Sequence, residues 1–344
     1  MILKSFNIKN FRRFTDLELN NLKQVNVIVG NNGIGKTSLL DALFLLLARK
    51  NQNCSYRVQN FRGMTVNTDS DFKYLFKDFK FNNEIYLSGE LFENNKLIDL
   101  AIKPVFKYTK LVNDGINNNI TLEQQEELVA IEYIFKDLNG QPFKQKFSIQ
   151  APVPLFPHKV EYQGSYFHTS CMFINNVCAI FDNVVKDNKE KYIVEILNKI
   201  DNRIQDIKMG ANNTILINMK GIQEAVPFYV IGGGIQKIIL ILANIISHKN
   251  GFLLIDELEN GLHYTSLKVL LQAIFIACKM YNVQLFITTH SKETIDSLIK
   301  VSDDNDFKDI VNITRLDYKN DKYYATAYTD EMLDTVYEEN VEIR

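Results

Sequence analysis

Polar and apolar positions along this 344-residue chain change period several times, and each change marks an element. In "ILKSFNIKNF" (2–11) apolar side chains alternate with polar ones, and "QVNVIVG" (24–30) runs apolar. Both read as strands, the second as a buried one. "TSLLDALFLLLA" (37–48) has helical spacing and no breaker, so the first 50 residues read strand, turn, strand, loop, helix. From about 80 to 150, the runs "EIYLSGELF", "LIDLAIKPVFKYT", "VAIEYIF" and "KQKFSI" are separated by Asn, Asp and Gly turns. They predict an antiparallel β layer, with "NDGINNN" (113–119) as its loop.

Pro152, Pro154 and Pro157 predict a stiff crossing. Beyond it Val177, Ile180, Phe181 and Val184, then Ile193, Leu197, Ile200 and Ile204, predict two amphipathic helices that form at most a short arm. From 225 onward the pattern is α/β: the glycine loop "IGGGIQK" (231–237), a helix, strand "GFLLID", helix 264–281, strand "VQLFITTH", helix 292–299 and a hairpin of "IVNITRLDY" with "KYYATAYT". No internal repeat is visible. The implied division is a discontinuous head, 1–60 and 210–344, with 61–209 inserted as a β-rich lobe (about 80–150) and a helical arm (about 170–209).

Composition narrows the class. With 46% hydrophobic and 23% charged residues the chain can bury one large core or two smaller ones, which excludes disorder. The longest apolar runs, "ALFLLLA" and "IILILANII", fall short of the roughly 20 residues a membrane span needs, and the N-terminus has no signal-peptide core. The expectation is a cytoplasmic protein with no membrane partner. Cys54, Cys171, Cys178 and Cys278 have no metal-ligand spacing and read as reduced. A net charge of −2 gives no global attraction to nucleic acid, while a local patch leaves DNA binding open.

Candidate chemistry begins at Gly30-Asn31-Asn32-Gly33-Ile34-Gly35-Lys36-Thr37-Ser38, which fits the phosphate-loop pattern and lies between a strand and a helix, as that pattern requires. Glycines let the backbone curl with its N–H groups facing a phosphate. Lys36 would neutralise β- and γ-oxygens and the Thr37 hydroxyl would hold Mg²⁺, so ATP and Mg²⁺ are the expected ligands. The strand "FLLIDE" (252–257) ends in two carboxylates, tolerable in a buried strand only where its end opens onto a cation. Asp256 fits the metal and Glu257 the water attacking the γ-phosphate. His290, closing "VQLFITTH", would face the same crevice and contact the γ-phosphate; a structural histidine is the other reading.

In order, "IKNFRRFTDLEL", "GNNGIGKTSLLDAL", "IGGGIQK", "LLIDELENGLH" and "FITTHS" resemble an ABC-type ATPase of the SMC, RecF and OLD (overcoming lysogenization defect) clan, in its AAA-family branch. The resemblance covers residues 1 to about 50 and about 228 to 295. It implies an α/β P-loop NTPase head of ABC type with a mixed central sheet, the antiparallel β layer and a short helical insertion. It also implies that two heads sandwich ATP, with Gly232, Gly233 and Gly234 contacting, in trans, the nucleotide held by the other head. A loop that merely caps the following helix is the alternative. Residues 259–263, with Asn260, resemble the loop that crosses the dimer interface. Arg12 and Arg13 resemble an arginine region near the nucleotide, or are surface charges; Gln59 is the candidate for a glutamine-loop residue. The signature lacks the serine of the SMC form and has Gly233 where OLD-like forms carry an acid, which leaves Lys237 as a substitute contact.

SMC-type long coiled coils and the Toprim domain of OLD nucleases have no counterpart in the sequence, and "SDDNDF" (302–307) reads as a solvated loop. The resemblance then implies an ATPase that forms a homodimer or larger homo-oligomer and controls an effector in trans, a Toprim-like nuclease or a toxin, in bacterial antiphage defence. The acidic tail "DEMLDTVYEENVEIR" is a docking segment or a solvated end. A RecF-like clamp on duplex DNA and an ATP-gated scaffold with negligible turnover are the alternatives.

Overall fold

The computed structural model describes residues 2–51, 53–111, 123–149, 160–168, 177–211, 214–303, 307–329 and 332. The loop 113–119, the prolines at 152, 154 and 157, Cys171, and all but Met332 of the acidic tail lie outside the described residues.

A parallel sheet carries the site. Strands β3 (Val25–Val29), β8 (Gly164–Phe167), β12 (Phe252–Ile255), β13 (Gln284–Thr288) and β14 (Val311–Lys319) run parallel, and β15 (Lys322–Ala327) joins β14 antiparallel, in the order β15-β14-β3-β13-β12-β8. The strands β3, β12 and β13 are buried along their whole length and mostly apolar because both faces of the sheet are covered. Leu253, Ile255, Leu285 and Ile287 point to a core shared with helices α5 (Gly233–Ser247), α6 (Tyr264–Tyr281) and α7 (Lys292–Asp303). Phe252, Leu254 and Phe286 point to the opposite core, against α1 (Lys36–Leu47).

Beyond α1 lies the antiparallel layer, ordered β2-β1-β4-β5-β6-β7. Its members are β1 (Leu3–Phe11), β2 (Phe14–Leu19), β4 (Ile85–Leu91), β5 (Leu97–Leu111), β6 (Glu123–Lys136) and β7 (Pro142–Phe147). Helix α1 is therefore enclosed between two sheets, and every one of its residues except Thr37 is buried. Gln284 ties the sheets together: its Oε1 accepts from the Ile2 and Leu3 N–H groups (3.1 and 2.8 Å), and its Nε2 donates to Leu3 O (2.7 Å).

This pairing cuts across the division expected from sequence. Phe6 pairs with Gly89 and Ile8 with Leu87, so the β layer grows from the first strands of the head, and β8, from within 61–209, completes the parallel sheet. The two predicted helices exist as α3 (Val177–Lys186) and α4 (Glu190–Ile200), yet they form no projecting arm. Phe181, Val184, Ile193 and Leu197 are buried in the same core as α5 and α6. Ile204 is not helical: it opens β9 (Ile204–Gly210), which pairs with β10 (Thr214–Met219), and β10 pairs in turn with β11 (Val226–Pro227), in a small sheet absent from the sequence reading. Apolar spacing carried the helix past Asp201, where the chain turns instead. Among the described residues no helix is long and apolar enough to cross a membrane.

Candidate nucleotide site

The loop between β3 and α1 turns on glycines at positive φ. At Gly30 (φ 142°) a Cβ would sit 2.7 Å from Leu316 O, and at Gly35 (φ 115°), which caps α1, 2.8 Å from the Phe14 ring. No other residue fits either place. Lys36 reaches back along the loop, donating to Gly30 O (2.7 Å) and Asn31 O (3.1 Å). Burial lowers its pKa, while Glu257, Asp256 and Glu259 pull it back up.

Parallel strands bring the remaining groups to the same end. The Thr37 hydroxyl lies 3.2 and 3.1 Å from the two oxygens of Asp256, whose Oδ1 also accepts from Thr288 Oγ1 at 2.6 Å. An ionised carboxylate beside a hydroxyl is the hard oxygen donor set that Mg²⁺ favours, so these residues fit the ion. Glu257 follows with φ 50°, an uncommon backbone for a non-glycine residue. Its N–H donates to Thr288 Oγ1 (2.9 Å) and its Oε2 accepts from Asn260 Nδ2 (2.6 Å). His290 Nδ1 stands 3.6 Å from Glu257 Oε1 and 3.3 Å from Glu259 Oε1. Glu259 Oε1 in turn accepts the His290 and Ser291 N–H groups (3.0 and 3.1 Å).

Lys36, Thr37, Asp256, Glu257 and His290 line a cleft of about 460 Å³. Of the residues predicted from sequence, Asn32, Gly33, Gly35, Lys36, Thr37, Ser38, Asp256, Glu257 and His290 meet there. Asn31 contributes to the loop through its carbonyl, and Ile34 packs its side chain against the core rather than the cleft. Gly232, Gly233, Gly234 and Asn260 are not among its lining residues.

Three expectations need correction. Arg12 and Arg13 form the two-residue turn between β1 and β2, which splays them apart. Arg12 is buried beneath the loop in an ion pair with Asp41, and it is Arg13 that lines the cleft, bonded to Gly33 O. Lys237 makes no outward contact: it is buried, and its Nζ donates to Glu257, Leu258 and Asn260 carbonyls. Gln59 is fully buried on α2 (Cys54–Asn60) and does not line the cleft.

The sequence reading missed Arg62, which lines the cleft and binds Asp41 (2.8 Å) and Ser38 Oγ (3.2 Å). It also missed Tyr166, whose hydroxyl donates to Asp41 (3.0 Å), and the buried His168, 3.9 Å from Asp256. One signal was available: Asp41 interrupts the apolar face of α1, and a buried carboxylate demands cationic or hydrogen-bonding partners. Arg62 has no comparable local signature.

A family model described as "AAA ATPase domain" matches residues 1–163, and another described as "AAA domain, putative AbiEii toxin, Type IV TA system" matches residues 93–296. The chain is 28% identical over 339 residues to an "ATP/GTP phosphatase" of Helicobacter pylori, covering 89% of this chain and 90% of that protein. It is 36% identical over 139 residues to the DNA replication and repair protein RecF of Bacillus cytotoxicus, covering 40% of this chain but only 33% of that protein. In fold it is similar to the SMC head solved with the C-terminal winged-helix domain of ScpA: TM-score 0.52, 12% identity, 97% of this chain and 100% of that one. With the second family model spanning more than half its length, and with this phosphate loop and strand order, the chain belongs to that AAA-domain family and is an ATPase with the fold of an SMC head.

Proposed function

We propose that the chain binds ATP with Mg²⁺ in the cleft at the ends of β3, β12 and β13, hydrolyses it, and assembles through its heads to control a separate effector. The observation carrying this reading is the convergence of Lys36, Thr37, Asp256, Glu257 and His290 on one cleft. Thr37 and Asp256 would hold Mg²⁺, which supplies charge neutralisation at the β- and γ-phosphoryl oxygens. Lys36 shares in that neutralisation, and Arg13 and Arg62 add positive charge to the same wall. Glu257 orients the attacking water and takes its proton, and His290, beside Glu257, contacts the γ-phosphate.

Gly232, Gly233 and Gly234 stand at the start of α5, outside the cleft of their own chain. That position supports a role on the nucleotide of a second copy, in a homodimer or larger homo-oligomer, where the helix's positive end would face phosphate. In this reading the head comprises 1–60 and 210–344 together with β8, and the remainder is an accessory layer. The family description, "putative AbiEii toxin, Type IV TA system", supports a toxin–antitoxin setting, and control of a Toprim-like nuclease or a toxin in antiphage defence, within the cytoplasm, is part of this proposal.

Phosphate release from mixed variants tests the assembly. Lys36→Ala and Gly233→Arg are each expected to be inactive alone, and mixing them should restore activity; Gly233 is chosen because a Cβ there meets open space. No recovery despite subunit exchange would remove the trans assignment. A pull-down with an ATP-trapped Glu257→Gln protein should return the effector, and recovery of DNA-repair proteins alone would count against antiphage control. The RecF similarity favours a second reading, a clamp on duplex DNA. It predicts ATP-dependent DNA binding that weakens steeply with salt, and no binding at low salt would exclude it.

A further inference from the structure

The glycine-rich start of α5 and the loop that follows β12 touch in two places. An ideal Cβ on Gly234 would lie 2.9 Å from Gly261 O, so the helix backbone lies directly against the loop. One turn further on, the Lys237 side chain passes beneath it. Its Nζ donates to Leu258 O (2.8 Å), Asn260 O (2.8 Å) and Glu257 O (3.2 Å), and it is 6% exposed. An ammonium has three N–H donors, and the loop supplies three carbonyls.

Those carbonyls belong to a segment with an unusual backbone. Glu257 has φ 50°, which a side chain of its kind holds only where neighbouring groups fix both of its peptide units. Thr288 Oγ1 takes its N–H and Lys237 takes its carbonyl. Asn260, whose carbonyl Lys237 also binds, donates its amide to the Glu257 carboxylate. Lys237 thus holds Glu257 through two routes, yet it does not line the cleft.

We propose that Lys237 is a positioning residue: it locks the 257–260 loop so that Glu257 points into the cleft, and it joins that loop to the start of α5 as one body. This rests on the reading of Glu257 as the residue that readies the attacking water. A phosphate bound at Gly232–Gly234 would then act on Glu257 of the same chain, coupling the two sites of an assembled pair.

The test compares Lys237→Met, Lys237→Arg and Glu257→Gln with the wild type. Binding of a fluorescent ATP analogue, phosphate release and amide hydrogen exchange are measured on the full chain. Lys237→Met should bind nucleotide within about threefold of wild type while kcat falls about 10²-fold, the cost of a misplaced catalytic group. Lys237→Arg, which keeps charge and donors, should recover part of the rate. In the wild type the Asn260 and Leu262 amides should be protected, and Lys237→Met should expose them. A folded Lys237→Met with wild-type kcat, or with binding weakened as much as kcat, overturns the proposal. If Lys237→Met does not fold, Lys237→Gln carries the same comparison, and unprotected Asn260 and Leu262 amides in the wild type overturn the proposal without any variant. Full activity in Glu257→Gln would instead remove the reading on which it rests.

Discussion

Thr37 Oγ1 lies 3.1 Å from Asp256 Oδ2 although the two residues are 219 positions apart, one in the first turn of α1 and the other just past the end of β12. Neither stretch of chain brings two such oxygens together alone; the parallel pairing of β3, β13 and β12 does. Asp256→Asn keeps an oxygen for Thr288 but removes the charge, so the fold should persist. Phosphate release should fall about 10²–10³-fold. Nucleotide affinity, measured with Mg²⁺ and then with EDTA, should become nearly independent of the ion.

Arg12 and Arg13 are adjacent in sequence and should separate cleanly in function. Arg12→Ala strands part of a buried carboxylate, Asp41, though Arg62 and Tyr166 still bind it. Its cost should fall near or below the low end of about 3–5 kcal/mol, read by thermal or denaturant unfolding. Arg13→Ala should leave stability nearly unchanged and raise KM for ATP. The reverse pattern would return Arg12 to the nucleotide.

Lys237 should also mark the pH dependence of stability. Burial lowers its pKa from 10.5 to about 8, against the attraction of Glu259, Glu257 and Asp256. Between those pH values the unfolded chain holds this proton and the folded chain does not, so stability rises with pH across the window. The stability of Lys237→Met, without this group, should rise less between pH 8 and 10.5 when the two proteins are compared by denaturant titration.

Gly30→Ala should abolish nucleotide binding and destabilise the fold by roughly 1–3 kcal/mol, because its Cβ meets the backbone of Leu316 and its φ suits only glycine. Gly63→Ala, where φ is also positive but a Cβ meets no neighbour, should cost stability while leaving nucleotide binding intact.

What could be read from sequence follows from how locally each feature is encoded. Asn32, Gly33, Gly35 to Ser38 and Asp256-Glu257 sit in short motifs whose geometry depends on their own strand and helix, and the structure brings them to one cleft. The pairing of β1 with β4 joins residues such as Phe6 and Gly89, and no pattern within either strand names its partner. Arg62 reaches the site through Asp41, a contact made by tertiary packing. Ile204 was misread because apolar spacing cannot show where Asp201 turns the chain.

Helix α1 has only Thr37 open to its surroundings, and the apolar side chains around the rest of it are packed into the one core that lies between the two sheets. A surface helix can absorb a push at one end by sliding along solvent; this one has no solvent to slide through. Whatever displacement nucleotide imposes on the loop at its head has to be shared by the sheet on either side. The rod that receives the phosphate is thereby also the axle between the two halves of the molecule.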